Sequence, residues 1–371
     1  MNTDDILEIF LVSVPGLETV LCEEATEKGF REPVVVSGGV TIAGDWRDVW
    51  RANLEIRGAS RILVRMGAFR ALHLAQLDKR ARKFPWADTL RPDVPLRVEV
   101  SCKASRIYHK GAAAQRIERA IAEEFGASIS AEAEVSIKVR IHDDLCTISV
   151  DSSGEALHKR DHKVAVSKAP MRETMASLFL RQCGYTGNEP VVDPMCGSGT
   201  FVIEAAEIAS GLNPGRTRNF AFEKLVGFDP AAWEKLKGKE SSPAPDFRFY
   251  GSDRDPGAVR MSRENAKRAG VEDFTGFQEL SINDVSPPEG PAGLVIINPP
   301  YGTRIGEVKS LKPLYQALGQ VLKSRFSGWR VGLITSADPL AKSTGLPFSF
   351  TSGPVSHGGI NIKLYTTDPL A

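Results

Sequence analysis

The sequence predicts an α/β protein in which a doubly wound, mostly parallel sheet follows a separate α+β region. From residue 171 onward, helical and strand-like patterns alternate, as they do when helices cover both faces of a parallel sheet. Before residue 155, short strand patterns are interspersed with three or four helical ones, and no internal repeat is visible. At 371 residues, the chain is also longer than one hydrophobic core usually supports, so we expect more than one domain.

The composition restricts the class of protein. Hydrophobic residues make up 42% and charged residues 25%, which is typical of a globular protein and excludes collagen-like, disordered and disulfide-scaffold classes. No apolar run approaches eighteen residues, and the first five residues are acidic where a signal peptide would be basic. The five cysteines are far apart and form no C-x-x-C pair. We therefore expect a cytoplasmic protein with no membrane segment and no metal site.

Short strands and amphipathic helices are predicted for the N-terminal region. Residues 61–69 alternate apolar with basic side chains, which indicates a half-buried strand with a basic outer face. Asp45 is a suitable N-cap for the helix that follows it. The predicted strands are 8–14, 34–36, 40–42, 61–69, 96–102, 135–141 and 146–150, and the predicted helices are 17–28, 46–53, 72–83 and 111–125.

The C-terminal elements are separated by Gly and Pro, which end helices and form turns. Residues 211–246 contain several prolines and only one helical pattern, near Trp233, so we interpret them as an insertion. The predicted helices are 171–183, 200–210, 256–270 and 311–326, and the predicted strands are 191–193, 247–251, 293–297, 330–335 and 360–365.

The net charge of +1 conceals a segregation of charge along the chain. Residues 57–119 carry 15 Lys and Arg against 5 Asp and Glu, whereas residues 1–56 carry 4 against 11. Residues 120–155 are acidic, with 2 against 8, and residues 156–182 are basic again, with 6 against 2. Clustered positive charge is typical of nucleic-acid binding. From charge alone, an ordinary ion-paired surface is an equally good interpretation.

The first candidate site is the loop that joins strand 191–193 to the next helix. Asp193 ends the strand, where open α/β sheets bind ligands. Gly197 and Gly199 lack side chains, so the backbone can turn tightly and a ligand can lie against it, close to the free N–H groups of the helix N-terminus. The third glycine of the dinucleotide fingerprint is missing, and a plain tight turn is the structural alternative.

A second acid, Asp253, ends the following strand. In doubly wound sheets, an acidic residue at this position accepts hydrogen bonds from the two ribose hydroxyls of a nucleotide. The usual separation from the glycine loop is about 20 residues, whereas Gly199 and Asp253 are 54 apart. We attribute the excess to the insertion. Asp255, which precedes Pro256, is predicted to be a helix N-cap.

The motif Asn298-Pro299-Pro300-Tyr301 follows the strand 293–297 and is the most specific signal in the chain. Two prolines fix the backbone, so the Asn298 side-chain oxygen and the Pro299 carbonyl become rigid, convergent acceptors. Such acceptors suit an exocyclic amine, because hydrogen bonds from its N–H groups favour the pyramidal, nucleophilic form. Tyr301 can stack on the ring that carries the amine. The alternative is a proline-rich turn with a packed tyrosine.

Together, in this order, the three motifs resemble those of class I S-adenosylmethionine-dependent amino-methyltransferases, which have a Rossmann-like fold. The resemblance implies S-adenosylmethionine as the cofactor and Asn298, Pro299, Pro300 and Tyr301 as the catalytic residues. In this family, an acidic residue before the Asn-Pro-Pro-Tyr strand normally hydrogen-bonds the adenine amino group of the cofactor. Ser281 stands at that position here, and Asp284 is the alternative residue for this contact. The other implied cofactor-binding residues are Asp193, Pro194, Cys196, Gly197, Ser198, Gly199, Thr200 and Asp253.

A narrower resemblance, over nearly the whole chain, is to the bacterial THUMP-domain RNA guanine-N2 methyltransferases, above all the 23S rRNA enzymes of the RlmL type. It rests on the stretches 157–160, 169–176, 193–201 and 298–304. Asp161-His162-Lys163 and Thr303 depart from the family pattern. The resemblance implies a ferredoxin-like unit at 1–60, a THUMP-like RNA-binding domain at 61–155 and a methyltransferase domain at 156–371, with no second methyltransferase domain.

The implied activity is methyl transfer to the N2 amine of a guanine, in rRNA modification. A tRNA guanine-N2 methyltransferase, a DNA adenine-N6 methyltransferase and a non-catalytic RNA-binding or ribosome-assembly protein are alternatives, and a protein glutamine methyltransferase is a weaker one. RNA is the expected partner. The candidate phosphate contacts are Arg80, Arg82, Lys83, Lys103, Arg106, Lys110, Arg116, Lys159, Arg160 and Lys163.

Overall fold

The computed structural model describes residues 6–163, 171–238, 245–302 and 305–371, the last range without the side chains of 305–307. The chain divides into two units. The first unit comprises Met1–Ser13, Cys22–Leu157 and Thr217–Lys239, and the second comprises Val14–Leu21, His158–Arg216 and Glu240–Ala371.

The sheet of the first unit has seven strands in the order β2-β3-β1-β4-β7-β6-β5. Its neighbouring strands are antiparallel except β5 and β6, which are parallel. The N-terminal elements are β1 (Leu7–Val12), α1 (Glu18–Glu27), β2 (Arg31–Val36), β3 (Gly39–Gly44), α2 (Trp46–Glu55), β4 (Arg61–Arg70), α3 (Leu74–Arg82), β5 (Leu96–Lys103), α4 (Lys110–Ala120), β6 (Val135–His142) and β7 (Leu145–Asp151).

Local sequence accounts for several boundaries in this unit. The Asp45 side chain accepts from the N–H groups of Arg47 (2.7 Å) and Asp48 (3.1 Å), so the predicted cap of α2 is present. Asp143 and Asp144 adopt φ values of +50° and +60° in the turn between β6 and β7. Asp tolerates this left-handed backbone better than most residues, which explains why the hairpin reverses there.

The second unit contains an eight-stranded sheet in the order β10-β9-β8-β11-β12-β15-β13, with β14 paired to β15. Strands β8 to β12 are parallel to one another, whereas β15 is antiparallel to β12, β13 and β14, so the predicted fold class is confirmed. The C-terminal elements are α5 (Glu173–Gln182), β8 (Val191–Asp193), α6 (Thr200–Ala209), α7 (Pro230–Lys237), β9 (Phe249–Asp253), α8 (Pro256–Ala269), β10 (Thr275–Glu279), β11 (Leu294–Ile297), α9 (Ile305–Arg325), β12 (Arg330–Thr335), α10 (Asp338–Ser343), β13 (Phe348–Thr351), β14 (Val355–His357) and β15 (Ile360–Thr367).

Strand order places the candidate site. The chain winds outward from β8 through β9 to β10 and then returns to β11 on the other side of β8. Such a reversal opens a crevice at the carboxyl ends of the two central strands. Asp193 ends β8 and Asn298 directly follows β11, so both lie at this crevice.

Most of the predicted insertion, residues 217–238, packs within the first unit. The Phe222 ring stacks on Trp50 of α2 with centroids 6.0 Å apart, and Phe228 meets the same indole at 5.6 Å. Trp233 of α7 contacts Phe222 edge-on at 5.1 Å. The backbone N–H of Phe222 also donates to the Ser152 carbonyl at 3.0 Å. Residues 217–238 therefore complete the aromatic core of a unit that lies mostly before them in sequence.

No helix in the described ranges has both the length and the apolar character needed to cross a membrane.

Candidate active site

A cavity of about 510 Å³ lies in the second unit, at the crevice between β8 and β11. Most of its walls come from the loop after β8 with the start of α6, the loop after β11, and the hairpin of β14 and β15, and Met171 completes the lining. Nine predicted site residues line it, namely Asp193, Cys196, Gly197, Ser198, Thr200, Asn298, Pro299, Pro300 and Tyr301.

The glycine loop is held by side chains of α8. Ser262 donates to the Gly197 carbonyl at 2.8 Å, and Asn265 donates to the Ser198 carbonyl at 3.0 Å. Gly197 and Gly199 have φ values of +54° and +83°, which favour glycine. A Cβ at Gly199 would lie only 3.1 Å from the Ser262 side chain. The loop is therefore rigid, and the two α8 residues that fix it were not among the predicted site residues.

Asp253 contributes to the same loop. One carboxylate oxygen accepts from the Gly197 N–H at 3.0 Å, and the other accepts from the Asp255 N–H at 3.0 Å. Each oxygen keeps a second lone pair for a further donor. Asp253 is half-buried and is not among the residues that line the cavity, so its predicted role toward ribose stays a prediction. Asp255 accepts from the Gly257 N–H at 2.8 Å and caps α8, as predicted.

Asp193 is 2% exposed and faces the cavity. Burial raises the pKa of its carboxyl group to about 8, and the charge of Asp253 adds to the shift, while the Met195 N–H, donating at 3.0 Å, opposes it. The energetic cost of a buried negative charge would be offset by a cation beside it. This wall of the cavity therefore suits a positively charged ligand group.

Asn298 presents a buried hydrogen-bond acceptor. Its Oδ1 atom is inaccessible to solvent and has no partner among the described residues, although a buried acceptor is normally paired. Tyr315 lies within 3.2 Å of both the Pro300 carbonyl and Thr335 Oγ1, so its buried hydroxyl holds the proline backbone in place. The arrangement is a fixed acceptor ready for a donor that enters the cavity.

Two other predicted residues are uncharged in the cavity. Burial raises the pKa of the Tyr301 phenol, which stays protonated at neutral pH. Burial also raises the pKa of the Cys196 thiol well above its usual value, so it carries no reactive thiolate. Both residues therefore present neutral walls to a ligand.

His357 lines the cavity from β14 and was not predicted. Its side chain is 8% exposed, and burial, assisted by the positive charge of Arg172, lowers the pKa of the imidazole. The ring is therefore neutral at neutral pH and keeps a basic nitrogen. A three-residue strand carries almost no periodic signal, and the only local hint is the Gly358-Gly359 turn, with φ values of +58° and +86°.

Four predicted cofactor residues other than Asp253 do not line the cavity. Ser281 precedes a short 3-10 turn and Asp284 ends it, and both are exposed, with the Ser281 hydroxyl facing the Asn283 N–H at 3.4 Å. Pro194 and Gly199 are buried in the loop after β8. The prediction that Ser281 or Asp284 reads the adenine stays untested.

Arg160 and Lys163 were predicted to contact RNA, but in the structure Arg160 is buried and the Lys163 side chain is only 9% exposed. Arg160 is 2% exposed and pairs at 3.3 Å with Glu204 of α6, itself 1% exposed. Lys163 pairs with Glu173 at 3.1 Å and donates to Thr200 Oγ1 at 2.8 Å. These charges are compensated inside the second unit and are not presented to a polyanion. Lys159, from the same segment, is exposed.

The predicted RNA contacts of the first unit divide into two groups. Arg82 donates to Asp78 at 3.0 Å and to Glu123 and Glu124 at 2.6 Å each, and these carboxylates raise its pKa. Its charge is thus neutralised locally. The remaining residues are exposed: Arg80, Lys83, Lys103, Arg106, Lys110 and Arg116. Among the described residues, no cluster of three or more His, Cys, Asp or Glu could hold a metal ion.

Family comparisons match three consecutive segments. Residues 160–352 match an RMKL-like methyltransferase domain, residues 8–63 an RlmL ferredoxin-like domain and residues 73–151 a THUMP domain. The three segments fall in the predicted order along the chain. The exact boundaries predicted from the sequence, 1–60, 61–155 and 156–371, remain predictions.

Full-length relatives agree with the family comparisons. A protein of Synechocystis sp., named as a candidate RNA methyltransferase, is 32% identical over 96% of this chain and 95% of its own. The ribosomal RNA large subunit methyltransferase K/L of Psychromonas ingrahamii is 32% identical over 94% of this chain but only 49% of its own, so this chain spans about half of that relative. The crystal structure of a possible methylase from Clostridium difficile 630 superposes with a TM-score of 0.89 at 27% identity and covers 99% of both chains.

The motifs at the strand ends, the cavity that they form and the three matched domains lead to one assignment. The chain belongs to the RMKL-like methyltransferase family and is an S-adenosylmethionine-dependent RNA methyltransferase with ferredoxin-like and THUMP domains.

Proposed function

We propose that this protein methylates the exocyclic N2 amine of a guanine in large-subunit (23S) ribosomal RNA. The observation that carries the chemistry is the buried, unpartnered Oδ1 of Asn298 in the cavity beside the glycine loop. The choice of large-subunit rRNA is supported by the names of the K/L relatives, of which this chain spans about half.

The residues around the cavity fit S-adenosylmethionine. When bound, it supplies a methyl group on a positively charged sulfonium. Asp193 would hold the cationic amino group of its methionine part, because a buried carboxyl group gains most from a positive neighbour. Gly197 and Ser198, at the N-terminus of α6, would let the cofactor lie against backbone N–H groups.

The target amine would be held by Asn298 Oδ1 and the Pro299 carbonyl. A guanine N2 amine is a poor nucleophile, since its lone pair is delocalised into the ring. Two acceptors that hold both N–H groups favour the pyramidal form developing in the transition state. Tyr301 would stack on the base, which must first leave its helical stack to reach the cavity.

Methyl transfer leaves an excess proton on the nitrogen, and we assign its acceptance to His357. Of the titratable groups that line the described cavity, Tyr301 and Cys196 are protonated, and Asp193 is assigned to the cofactor. The neutral imidazole of His357 therefore provides the available base.

Replacing His357 by Gln should lower the turnover rate by about tenfold, because water can take the proton less efficiently than a positioned imidazole. In the wild type, the rate should rise with pH through the lowered histidine pKa, below 6.5, and then level off. The variant should lack this rise. Single-turnover rates between pH 5 and 8 would test this, with His142→Gln in β6 as the matched control. An unchanged profile in His357→Gln would exclude the role.

Asp193→Asn should weaken S-adenosylmethionine binding and stabilise the unbound protein at alkaline pH. The folded-state pKa of about 8 lies above the ordinary value of 3.8, so the wild type loses stability as pH rises through this interval, and the amide removes that loss. Urea denaturation should show a much larger gain at pH 9 than at pH 5, because pH 5 lies only about one unit above the ordinary value of 3.8 at which the loss begins. Calorimetry should show weaker cofactor binding. Equal stability of both proteins at pH 9 would contradict the burial argument.

The proposed function is tested by supplying tritiated S-adenosylmethionine and separate RNA and DNA substrates. The substrates are protein-free large-subunit rRNA from a strain lacking this gene, total tRNA and adenine-rich duplex DNA. Nucleoside mass spectrometry should detect N2-methylguanosine in the rRNA. Detection of N2-methylguanosine in tRNA alone would support the proposed reaction but show that the substrate is tRNA and not rRNA. N6-methyladenine would overturn the guanine assignment, and cofactor binding without any methylation, in naked rRNA or in precursor particles, would favour a non-catalytic RNA-binding role.

A further inference from the structure

Tyr108 is the most exposed large hydrophobic side chain in the described part of the molecule, at 82% of its full accessible area. It lies in the first unit, in the loop between β5 and α4. Leaving an aromatic ring in water forgoes the stabilisation that burial would bring. A strongly exposed ring therefore requires an explanation.

The loop that carries Tyr108 is anchored at its start. The Asp144 carboxylate accepts from the Arg106 N–H at 2.8 Å, and the Asp144 N–H donates to Ser105 Oγ at 3.1 Å. Ser105 Oγ in turn donates to the Lys103 carbonyl at 2.8 Å. These bonds join the loop to the turn between β6 and β7.

The loop is anchored at its end as well. Ile107, next to Tyr108, is 4% exposed, and His109 caps α4 by accepting from the Ala112 N–H at 3.0 Å. With both neighbours fixed, Tyr108 points outward from an ordered backbone. The exposure of the ring is thus imposed by the ordered backbone of this loop.

The chain segment that carries Tyr108 has charges of one sign. Residues 100–117 contain Lys103, Arg106, Lys110 and Arg116 but no Asp or Glu. Lys103 and Lys110 are exposed, and the Arg106 side chain is 71% exposed with only a long 3.9 Å contact to Asp144. An aromatic ring among cations is complementary to a nucleic-acid strand, which offers flat bases joined by anionic phosphates.

We propose that Tyr108 is a stacking platform for an unpaired base of the RNA substrate, with Lys103, Arg106 and Lys110 holding the adjacent phosphates. This deepens the proposed function and rests on it, because it takes RNA as the substrate. Stacking on an aromatic ring needs a base that is free of the helix, so the surface should prefer single-stranded RNA or a loop to a continuous duplex.

The test compares the binding of a fluorescently labelled single-stranded RNA 12-mer and its duplex to full-length variants. Tyr108→Ala should weaken single-strand binding roughly tenfold or more and leave duplex binding nearly unchanged. Tyr108→Phe, which keeps the ring, should bind as the wild type does. Phe350→Ala removes another exposed aromatic ring, 46% exposed, and serves as the control.

The cations are tested by their salt dependence. Lys103→Ala combined with Lys110→Ala should reduce the slope of log affinity against log salt by about 1.4, or about 0.7 per lost single-strand phosphate contact, whereas Tyr108→Ala should leave the slope unchanged. Unaltered single-strand affinity in Tyr108→Ala, or an equal loss in Tyr108→Phe, would overturn the stacking proposal. Because binding is measured without methyl transfer, failure to methylate guanine would overturn only the proposed function.

Discussion

Asn298→Ala should lower the turnover rate on the order of a hundredfold, equivalent to about 3 kcal/mol of transition-state stabilisation. The reason is the buried Oδ1 acceptor of Asn298, which has no hydrogen-bond partner among the described residues. It can therefore accept from an incoming amine without the loss of an existing hydrogen bond. Because the contact strengthens as the amine becomes pyramidal, its loss should reduce kcat more than it raises KM.

Single-turnover methyl transfer and cofactor calorimetry separate this effect from misfolding. S-adenosylmethionine should bind Asn298→Ala as tightly as it binds the wild type, since Asp193 and the glycine loop are unchanged. Asn188→Ala, which removes an exposed amide elsewhere in the second unit, should retain full activity. Wild-type turnover in Asn298→Ala with the cofactor bound would rule out the amine-holding role.

Glu204→Ala should lower the free energy of unfolding by about 3–5 kcal/mol. Glu204 and Arg160 are 1% and 2% exposed and lie 3.3 Å apart. Removing the carboxylate leaves a guanidinium buried beside α6, and the neighbouring acids are already engaged, Glu173 with Lys163 and Glu207 with Arg216. The cost is therefore mainly that of a buried cation that has lost the Glu204 carboxylate.

Urea denaturation followed by circular dichroism would measure the change. Replacing both partners together, Arg160→Met with Glu204→Leu, should restore most of the lost stability, because neither charge of this pair is then left buried without the other. Asp93→Ala breaks the solvent-exposed pair of Arg91 and Asp93 and should change the stability little. A loss in Glu204→Ala as small as that in Asp93→Ala would show that the buried pair is compensated by other groups.

Much of the site could be predicted because its residues sit at strand ends. Asp193 and Asn298 are 105 positions apart in the sequence, yet each directly marks the end of a buried strand, and parallel strands bring their carboxyl ends to one edge. Local rules also predicted the caps Asp45 and Asp255, since a cap depends on only three or four consecutive residues. Strands β10, β13 and β14 and helix α10 were not predicted from the sequence.

Local patterns in the sequence predicted the fold class, the order of the motifs and nine residues that line the cavity, because strand alternation, glycine turns and proline constraints act over a few neighbouring residues. The three-dimensional structure was needed to show which charges are neutralised, as with Arg160 and Arg82, and where residues 217–238 pack. It also brought His357 to the cavity. Arg160 pairs with Glu204, 44 positions away, and Arg82 pairs with Glu123, 41 positions away. A local pattern carries no information about partners so distant in the sequence.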